Sequence, residues 1–134
     1  MNLLISIKPE FVNKILANEK LYEFRKSIFK QKVDKIFIYS TYPVKKKIVG
    51  YFEVNEIICE SPQELWNSFS EVSGISKKDF FKYYANSNEG FAIKIDNLHI
   101  FDEFIDMNEY ADFRAPQSFC YVENNDCLKE LLLV

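Results

Sequence analysis

The sequence predicts a mixed α+β domain, a small barrel or curled sheet with helices packed on its rim. Short runs of β-branched and aromatic residues occur near both ends of the chain, which is typical of strands. Two serine-led motifs that are typical of helix starts lie between these runs. Because the strands before and after this helical pair need a shared core, we expect one domain over residues 1–134.

The first forty residues predict a strand, a helix and two further strands. Residues 3–8 predict the first strand, and Pro9 suits the first turn of a helix, where its missing N–H costs nothing. Apolar residues then recur at helical spacing as far as Asn18, which tolerates the left-handed conformation found at helix ends. Strands are expected over residues 20–26 and 33–40.

The remainder of the chain predicts strands on either side of two helices. A long half-buried strand is expected from Ile48 to Ile58, in which Gly50 marks a bend or the close approach of another backbone. Ser61 and Ser76 are the predicted N-caps of the two helices, each with an acidic residue three positions later. The C-terminal part then predicts a strand over 91–101, an acidic irregular connection over 102–112, a last strand over 118–122 and a short helix from Asn125.

The composition argues against several classes of protein. The three cysteines are never spaced as Cys-x-x-Cys and His99 is the only histidine, so neither a common zinc site nor a serine triad is expected. The lack of such a zinc site leads us to expect no metal. The scattered glycines form no phosphate-binding loop, so we also expect no cofactor. The apolar stretches are too short to cross a bilayer, and the first ten residues lack a signal-peptide layout. We therefore expect a cytoplasmic protein with reduced thiols and no membrane partner.

The charges are divided unevenly along the chain. Residues 1–50 carry eleven cations and four acids, whereas residues 51–134 carry six cations and sixteen acids. Such a division indicates a basic face for an anionic partner, of which nucleic acid is the first candidate. Alternatively, the two halves of the chain interleave in the fold, and the charges form an ordinary solvated surface. Fifteen of the cations are lysines, so Arg25 and Arg114 are candidates for planar pairing with a carboxylate or phosphate.

Residues 18–26 are the richest in candidate chemistry. In a regular strand Glu23 and Arg25 share one face, so Lys20 and Glu23 converge only if the chain bends near Lys20. A lysine beside a carboxylate in a partly buried pocket can bind phosphate, or act as a nucleophile or base if burial lowers its pKa. The alternative is a surface strand in which the lysine and the glutamate are simply paired.

The motif Lys20-x-x-Glu23-x-Arg25 at a helix-to-strand junction resembles the Gly-x-Lys-x-x-Glu-x-Arg hallmark of the ASCH domain family. Asn18 stands where the family usually has glycine, and it tolerates the same backbone turn. The resemblance implies a PUA-like fold, a small curled β-barrel with helices on its rim, and a cleft that binds RNA or a modified nucleotide. It spans roughly residues 3–122 and includes the segments 4–9, 49–54 and 113–119.

The predicted site follows from this resemblance together with the basic and turn residues near the motif. Tyr39, Tyr42 and Trp66 are the candidate rings for stacking a base. The inward helical position of Trp66 favours a place in the core, whereas the turn at Pro43 favours exposure of Tyr42. The lysines at 45–47 are expected to make binding sensitive to salt. The predicted nucleic-acid contacts are Lys20, Glu23, Arg25, Ser40, Thr41, Tyr42, Lys45, Lys46 and Arg114.

Alternatives to simple RNA binding stay open. Some members of the family remove the acetyl group of N4-acetylcytidine with a lysine, a threonine three residues later and a downstream glutamate. Lys20 matches the lysine, whereas Glu23 occupies the threonine position and Asp79 is the candidate carboxylate. Lys20 and Glu23 would therefore be the catalytic pair if the protein is an enzyme. A ribonuclease activity is also associated with the family, although one histidine leaves no ordinary acid–base pair. A domain that senses a small nucleotide is the remaining alternative.

Overall fold

The computed structural model describes residues 1–41 and 46–133, which form two β-sheets and four α-helices. The strands are β1 (Asn2–Ile7), β2 (Tyr22–Arg25), β3 (Lys35–Ser40), β4 (Lys47–Glu53), β5 (Ile57–Glu60), β6 (Gly90–Lys94), β7 (Asp96–Asp106) and β8 (Phe119–Tyr121). The helices are α1 (Pro9–Leu16), α2 (Pro62–Phe69), α3 (Lys77–Tyr83) and α4 (Asp126–Leu132), and 3₁₀ turns lie at Ser70–Val72, Met107–Glu109 and Val122–Asn124.

The strands divide into a larger and a smaller sheet. The larger sheet has the order β7-β4-β3-β1-β8, and the smaller sheet has the order β2-β6-β5. β1 and β3 are parallel, and the other neighbouring strands are antiparallel. A parallel pair requires a crossover connection, and here the crossover contains α1 and β2. The junction between α1 and β2 therefore leaves the larger sheet and enters the smaller one.

Apolar side chains fill the space on both faces of each sheet. The core on one face of the larger sheet joins it to α1 and β6 through Leu3, Ile5, Ile38, Phe52, Val12, Ile15 and Ile93. Its other face is covered by α4 and the last two 3₁₀ turns through Leu4, Phe37, Ile48, Met107, Val122 and Leu128. Helices α2 and α3 cover the smaller sheet through Leu65, Phe80 and Tyr84, which contact Phe24 and Ala92.

The predicted helix ends are confirmed by the local hydrogen bonds. The Ser61 hydroxyl accepts the Glu64 N–H at 3.2 Å, and the Ser76 hydroxyl accepts the Asp79 N–H at the same distance. Asn18 has a φ of 61°, the left-handed conformation expected where α1 ends. The short C-terminal helix predicted from Asn125 is also present as α4.

Two predicted strands are wrong in extent. The strand expected from Ile48 to Ile58 is two strands, because β4 ends at Glu53 and β5 belongs to the smaller sheet. The strand expected over 91–101 is likewise divided into β6 and β7, and β7 continues through residues expected to be irregular. The acidic side chains of β7 are tolerated because this edge strand pairs only with β4 and leaves Asp102 and Glu103 exposed.

The α+β class is confirmed, whereas closure of the sheet into a barrel is not. In residues 1–41 and 46–133 the larger sheet ends at β7 and β8, the smaller sheet ends at β2 and β5, and neither closes on itself. The PUA-like assignment stays a prediction. None of the helices in these residues has the length and apolar character needed to span a membrane.

Substitution of Gly50 tests the close contact between β4 and β7. A methyl group at this position would collide with the His99 carbonyl oxygen and lie 3.0 Å from the Ile100 Cα. We expect Gly50→Ala to lower the free energy of unfolding by about 1–3 kcal/mol, because overpacking pushes the strands apart. Urea denaturation measures the change, and Ser68→Ala on the exposed face of α2 is the control, expected to stay within about 0.5 kcal/mol of wild type. Equal stability of Gly50→Ala and wild type would contradict this explanation.

Candidate functional site

A cavity of about 730 Å³ opens where β1, α1, β2 and α3 meet, and we call it the Lys20 cavity. Five cationic and three acidic side chains belong to its lining, so its walls carry an excess of positive charge. The lining residues are Ser6, Ile7, Lys8, Glu10, Phe11, Lys20, Glu23, Phe24, Arg25, Lys26, Thr41, Ile75, Asp79, Phe80, Lys82, Tyr83 and Gln117.

The bend after α1 directs Lys20 into the core. The N–H groups of Glu19 and Lys20 both donate to the Lys14 carbonyl, at 2.9 and 3.1 Å, so the chain reverses closely around the helix end. The Leu21 N–H then donates to the Val72 carbonyl at 2.9 Å, which anchors the chain before β2 begins. The bend near Lys20 that convergence with Glu23 requires is thereby present.

Lys20 is a buried lysine with only 3% of its surface exposed. Its Nζ donates to the Ser73 carbonyl at 2.7 Å and lies 4.9 Å from the centre of the Phe24 ring. Gly74 leaves room for the Lys20 side chain, because a Cβ at position 74 would lie only 2.7 Å from the Lys20 Cβ. Gly74 also has a φ of 68°, so the turn that presents the Ser73 carbonyl favours glycine for two independent reasons.

Glu23 lies between two cations. Its Oε1 is 3.8 Å from the Lys20 Nζ, and its Oε2 accepts a hydrogen bond of 3.0 Å from the Arg25 Nη2. Arg25 also donates to the Ser6 carbonyl at 3.0 Å and to the Ser118 hydroxyl at 3.1 Å. Arg25 therefore connects the Glu23 carboxylate to both β1 and the chain that leads into β8, which holds the carboxylate in one position.

The environment changes the acid–base behaviour of Lys20. Burial lowers the pKa of its ammonium group from 10.5, the nearby Arg25 guanidinium lowers it further, and the Glu23 carboxylate opposes both effects. At a given pH, a larger fraction of Lys20 is consequently in the neutral form that can accept a proton than for a lysine in water. The arrangement can hold an anion or a base edge while Lys20 is charged, and can accept a proton while it is neutral.

The entrance of the cavity combines an aromatic ring with exposed cations. Lys26 and Lys82 are exposed, and the Lys26 Nζ lies 4.8 Å from the centre of the Tyr83 ring. Asp79 is also exposed at this wall, where it occupies the first turn of α3. These side chains can contact a ligand that extends out of the cavity.

The structure brings together four of the predicted site residues, Lys20, Glu23, Arg25 and Thr41, in the lining of the Lys20 cavity. Ser40 does not join them, since it is fully buried in β3 and its hydroxyl has no hydrogen-bond partner among the described residues. Their predicted roles in binding remain predictions.

The other predicted contacts lie elsewhere. Lys46 is exposed just before β4 and is not among the cavity residues. Arg114 is exposed on a loop, where its Nη1 donates to the carbonyls of Ala111 and Phe113 at 2.9 and 3.1 Å. Tyr42 and Lys45 lie outside the described residues.

Two of the candidate stacking rings are packed within the fold. Tyr39 is 3% exposed and its ring packs against Phe113 at 5.5 Å, because β3 is central in the larger sheet. Trp66 packs against the rings of Phe80 and Phe81. Neither ring lines the Lys20 cavity.

Several cavity residues were not predicted from the sequence. Ser6, Lys8 and Gln117 reach the cavity only because β1 and the chain before β8 lie side by side, as the bond from the Ser6 hydroxyl to the Pro116 carbonyl (2.7 Å) shows. Tyr83 could have been found from its position in the sequence. It is the last residue of α3 and is exposed, whereas Phe80 and Tyr84 are buried.

His99 lies in a different depression, which we call the second groove. This groove has a volume of about 370 Å³ and is lined by Lys35, Phe37, Tyr51, His99, Phe101, Asp102, Glu103, Ile105, Leu131 and Leu132. Among the residues that the structure describes, no three histidine, cysteine, aspartate or glutamate side chains gather as they would around a metal ion.

Comparisons with known proteins agree with this architecture. No family model matches the chain. The large ribosomal subunit protein uL22 of Ureaplasma parvum is 27% identical over 122 residues, which cover 90% of this chain and 39% of that protein. The chain therefore spans about two fifths of that relative's length. An ASCH domain-containing ribonuclease of Zymomonas mobilis is 26% identical over 129 residues, which cover 93% of this chain and 86% of that protein.

A solved structure matches the fold over nearly its whole length. The crystal structure of ASCH from Zymomonas mobilis superposes with a TM-score of 0.83 at 23% identity, covering 98% of this chain and 93% of that chain. The fold of the described chain is thus that of an ASCH domain. The sequence match over most of both chains and the Lys20-x-x-Glu23-x-Arg25 motif add a similarity in sequence to this likeness in fold.

The lowered pKa of Lys20 predicts how stability depends on pH. Between that pKa and 10.5 the folded protein has lost the Lys20 proton while the unfolded chain still binds it, so the free energy of unfolding rises with pH in this window. Lys20→Met is expected to remove this rise, and Lys94→Met, which changes an exposed lysine, is expected to keep it. Urea denaturation from neutral pH to about 10.5 measures the difference. Identical pH profiles for wild type and Lys20→Met would show that Lys20 has an ordinary pKa in the folded protein.

Proposed function

We propose that this protein binds RNA by seating one nucleotide in the Lys20 cavity. The observation that carries the proposal is the fixed set of Lys20, Glu23 and Arg25 on the wall of a cavity large enough for a ligand. Pockets that hold small ligands have volumes of about 300–1,000 Å³, and about 730 Å³ lies within that range. The relative named as a ribonuclease supports RNA as the class of ligand.

The buried end of the cavity suits the edge of a nucleobase. Glu23 is a hydrogen-bond acceptor for a base amine, since each carboxylate oxygen has lone pairs beyond those used by Lys20 and Arg25. The charged Lys20 ammonium has three protons and donates one to the Ser73 carbonyl, so it is a donor for a base carbonyl or ring nitrogen. Arg25 acts as a positioning residue, because its guanidinium is already bonded to three protein groups.

The rim of the cavity suits the phosphate backbone. Lys8, Lys26 and Lys82 are exposed cations among the lining residues, so they can contact phosphates on either side of the seated nucleotide. Contacts of this kind release counterions, which makes affinity depend on salt. The acidic overall charge of −3 makes a local basic rim more important for attracting RNA.

The rim lysines provide the test of RNA binding. We expect the triple change Lys8→Gln, Lys26→Gln and Lys82→Gln to weaken binding of short single-stranded RNA and to reduce the salt slope by about 2. Each phosphate contact on a single strand contributes about 0.7 to that slope. Fluorescence anisotropy of labelled RNA over a range of salt concentrations measures both quantities.

The matched control removes the same charge elsewhere. Lys30, Lys32 and Lys129 are exposed and do not line the Lys20 cavity, so changing all three to glutamine is expected to leave the slope near that of wild type. An equal loss in both triple variants would show that binding follows net charge rather than this cavity. If the wild-type protein binds none of the short single-stranded RNAs used in this titration, the proposed function is overturned.

Cleavage of the bound RNA is a second candidate function, favoured by the lowered pKa of Lys20 and by its position beside Glu23. In strand cleavage the ribose 2′-hydroxyl attacks the adjacent phosphorus and its proton passes to the neutral Lys20 amine. The P–O5′ bond breaks, the 5′ oxygen takes a proton from water, and a cyclic phosphate remains on the other fragment. The alternative reaction at the same pair is hydrolysis of an acylated nucleoside such as N4-acetylcytidine. Water attacks the acyl carbon and passes a proton to the neutral Lys20 amine, the C–N bond breaks, the N4 nitrogen takes that proton, and acetic acid leaves as acetate.

Product analysis by mass separates these reactions. Wild-type protein is incubated with a short RNA and, separately, with N4-acetylcytidine. If Lys20 accepts the proton, Lys20→Met is expected to lower the rate at least about 100-fold, as is typical for loss of a general base. Cyclic-phosphate fragments indicate strand cleavage, and acetate indicates acyl removal. Binding without either product would restrict the function to recognition.

A further inference from the structure

Tyr83 has an exposed ring in a fixed orientation. Its hydroxyl accepts the Lys26 N–H at 3.2 Å, and its ring packs edge-on against Tyr84 at 4.8 Å. Tyr84 is itself fixed, because it is 2% exposed and its hydroxyl donates to the Arg25 carbonyl at 3.0 Å. Tyr83 nevertheless remains 37% exposed.

The position of Tyr83 connects it to the Lys20 cavity. The residue ends α3 and lines the cavity, so its ring lies beside the entrance rather than at the buried end. The Lys26 Nζ lies 4.8 Å from the ring centre. An aromatic face and a cation at one place match the two parts of a nucleotide, a flat base and an anionic phosphate.

We propose that Tyr83 is a stacking platform for the base adjacent to the nucleotide seated in the Lys20 cavity, and that the ligand is therefore an unpaired RNA segment. This inference rests on the proposed function and adds a second nucleotide to it. A base can stack on Tyr83 only when it is unpaired and turned out, which excludes the interior of a duplex. Stacking tolerates every base, so the platform selects single-stranded structure rather than sequence.

The experiment removes the ring and the base separately. Tyr83→Leu removes the ring, and Tyr83→Phe keeps it while losing only the hydroxyl contact with the Lys26 N–H. Tyr51→Leu is the matched control, because the Lys35 Nζ lies 4.7 Å from the Tyr51 ring in the second groove. Each protein is titrated with a labelled single-stranded octanucleotide RNA and with versions in which one base at a time is removed.

We expect Tyr83→Leu to weaken binding of the intact RNA by about 5- to 150-fold, the range typical of one lost base–aromatic stack. Tyr83→Phe and Tyr51→Leu are expected to bind within about 3-fold of wild type. One abasic position is expected to weaken wild-type binding but to have no further effect on Tyr83→Leu, which shows that this base and Tyr83 interact. Urea denaturation of Tyr83→Leu confirms that the variant is folded.

The outcomes separate this inference from the proposed function. If the wild-type protein binds RNA and Tyr83→Leu binds equally well, the proposal that Tyr83 is a stacking platform is wrong and RNA binding stands. If Tyr83→Leu and Tyr51→Leu weaken binding equally, or if no abasic position interacts with Tyr83, the platform is also wrong. If the wild-type protein binds neither the octanucleotide nor the short RNAs of the salt titration, both proposals are overturned.

Discussion

The site depends on the removal of one ammonium group from water. Lys20 is held by the Ser73 carbonyl and by Glu23, and loss of either partner would leave a buried charge insufficiently compensated. The bend at Asn18, the left-handed turn at Gly74 and the first residues of β2 all meet this lysine. The bend after α1 and the turn at Ser73 and Gly74, which lies 53 positions further along the chain, are thus held together by a single side chain, and the wall of the cavity is preformed as a result.

Arg25 extends the same network across the two sheets. It starts from β2 in the smaller sheet and donates to Ser6 of β1 and to Ser118 near β8, which belong to the larger sheet. A guanidinium can serve three acceptors in fixed directions, whereas a lysine ammonium on a flexible stem positions them less well. This geometry explains an arginine at this position in a chain that otherwise uses fifteen lysines.

Local signals in the sequence predicted the helix starts at Ser61 and Ser76 and the turn at Asn18. They also indicated that Lys20 meets Glu23 only if the chain bends near Lys20, and the structure contains that bend. These features depend on neighbouring residues, so a short stretch of sequence contains the necessary information. The division of the strands between two sheets depends on long-range pairing, and alternation alone could not place the break after Glu53. The burial of Tyr39 and the exposure of Tyr83 depend likewise on which elements cover each ring.

The hydrogen bonds that close the cavity join distant parts of the chain, and this has a consequence during synthesis. The Ser6 hydroxyl bonds to Pro116 over a separation of 110 positions, and Arg25 bonds to Ser118 over 93. A ribosome must therefore release almost the entire domain before these bonds can form. The nascent chain lacks a complete binding cavity throughout most of its translation, and contacts of such long sequence separation are typical of slow folding. A complete Lys20 cavity is consequently a property of the finished domain alone.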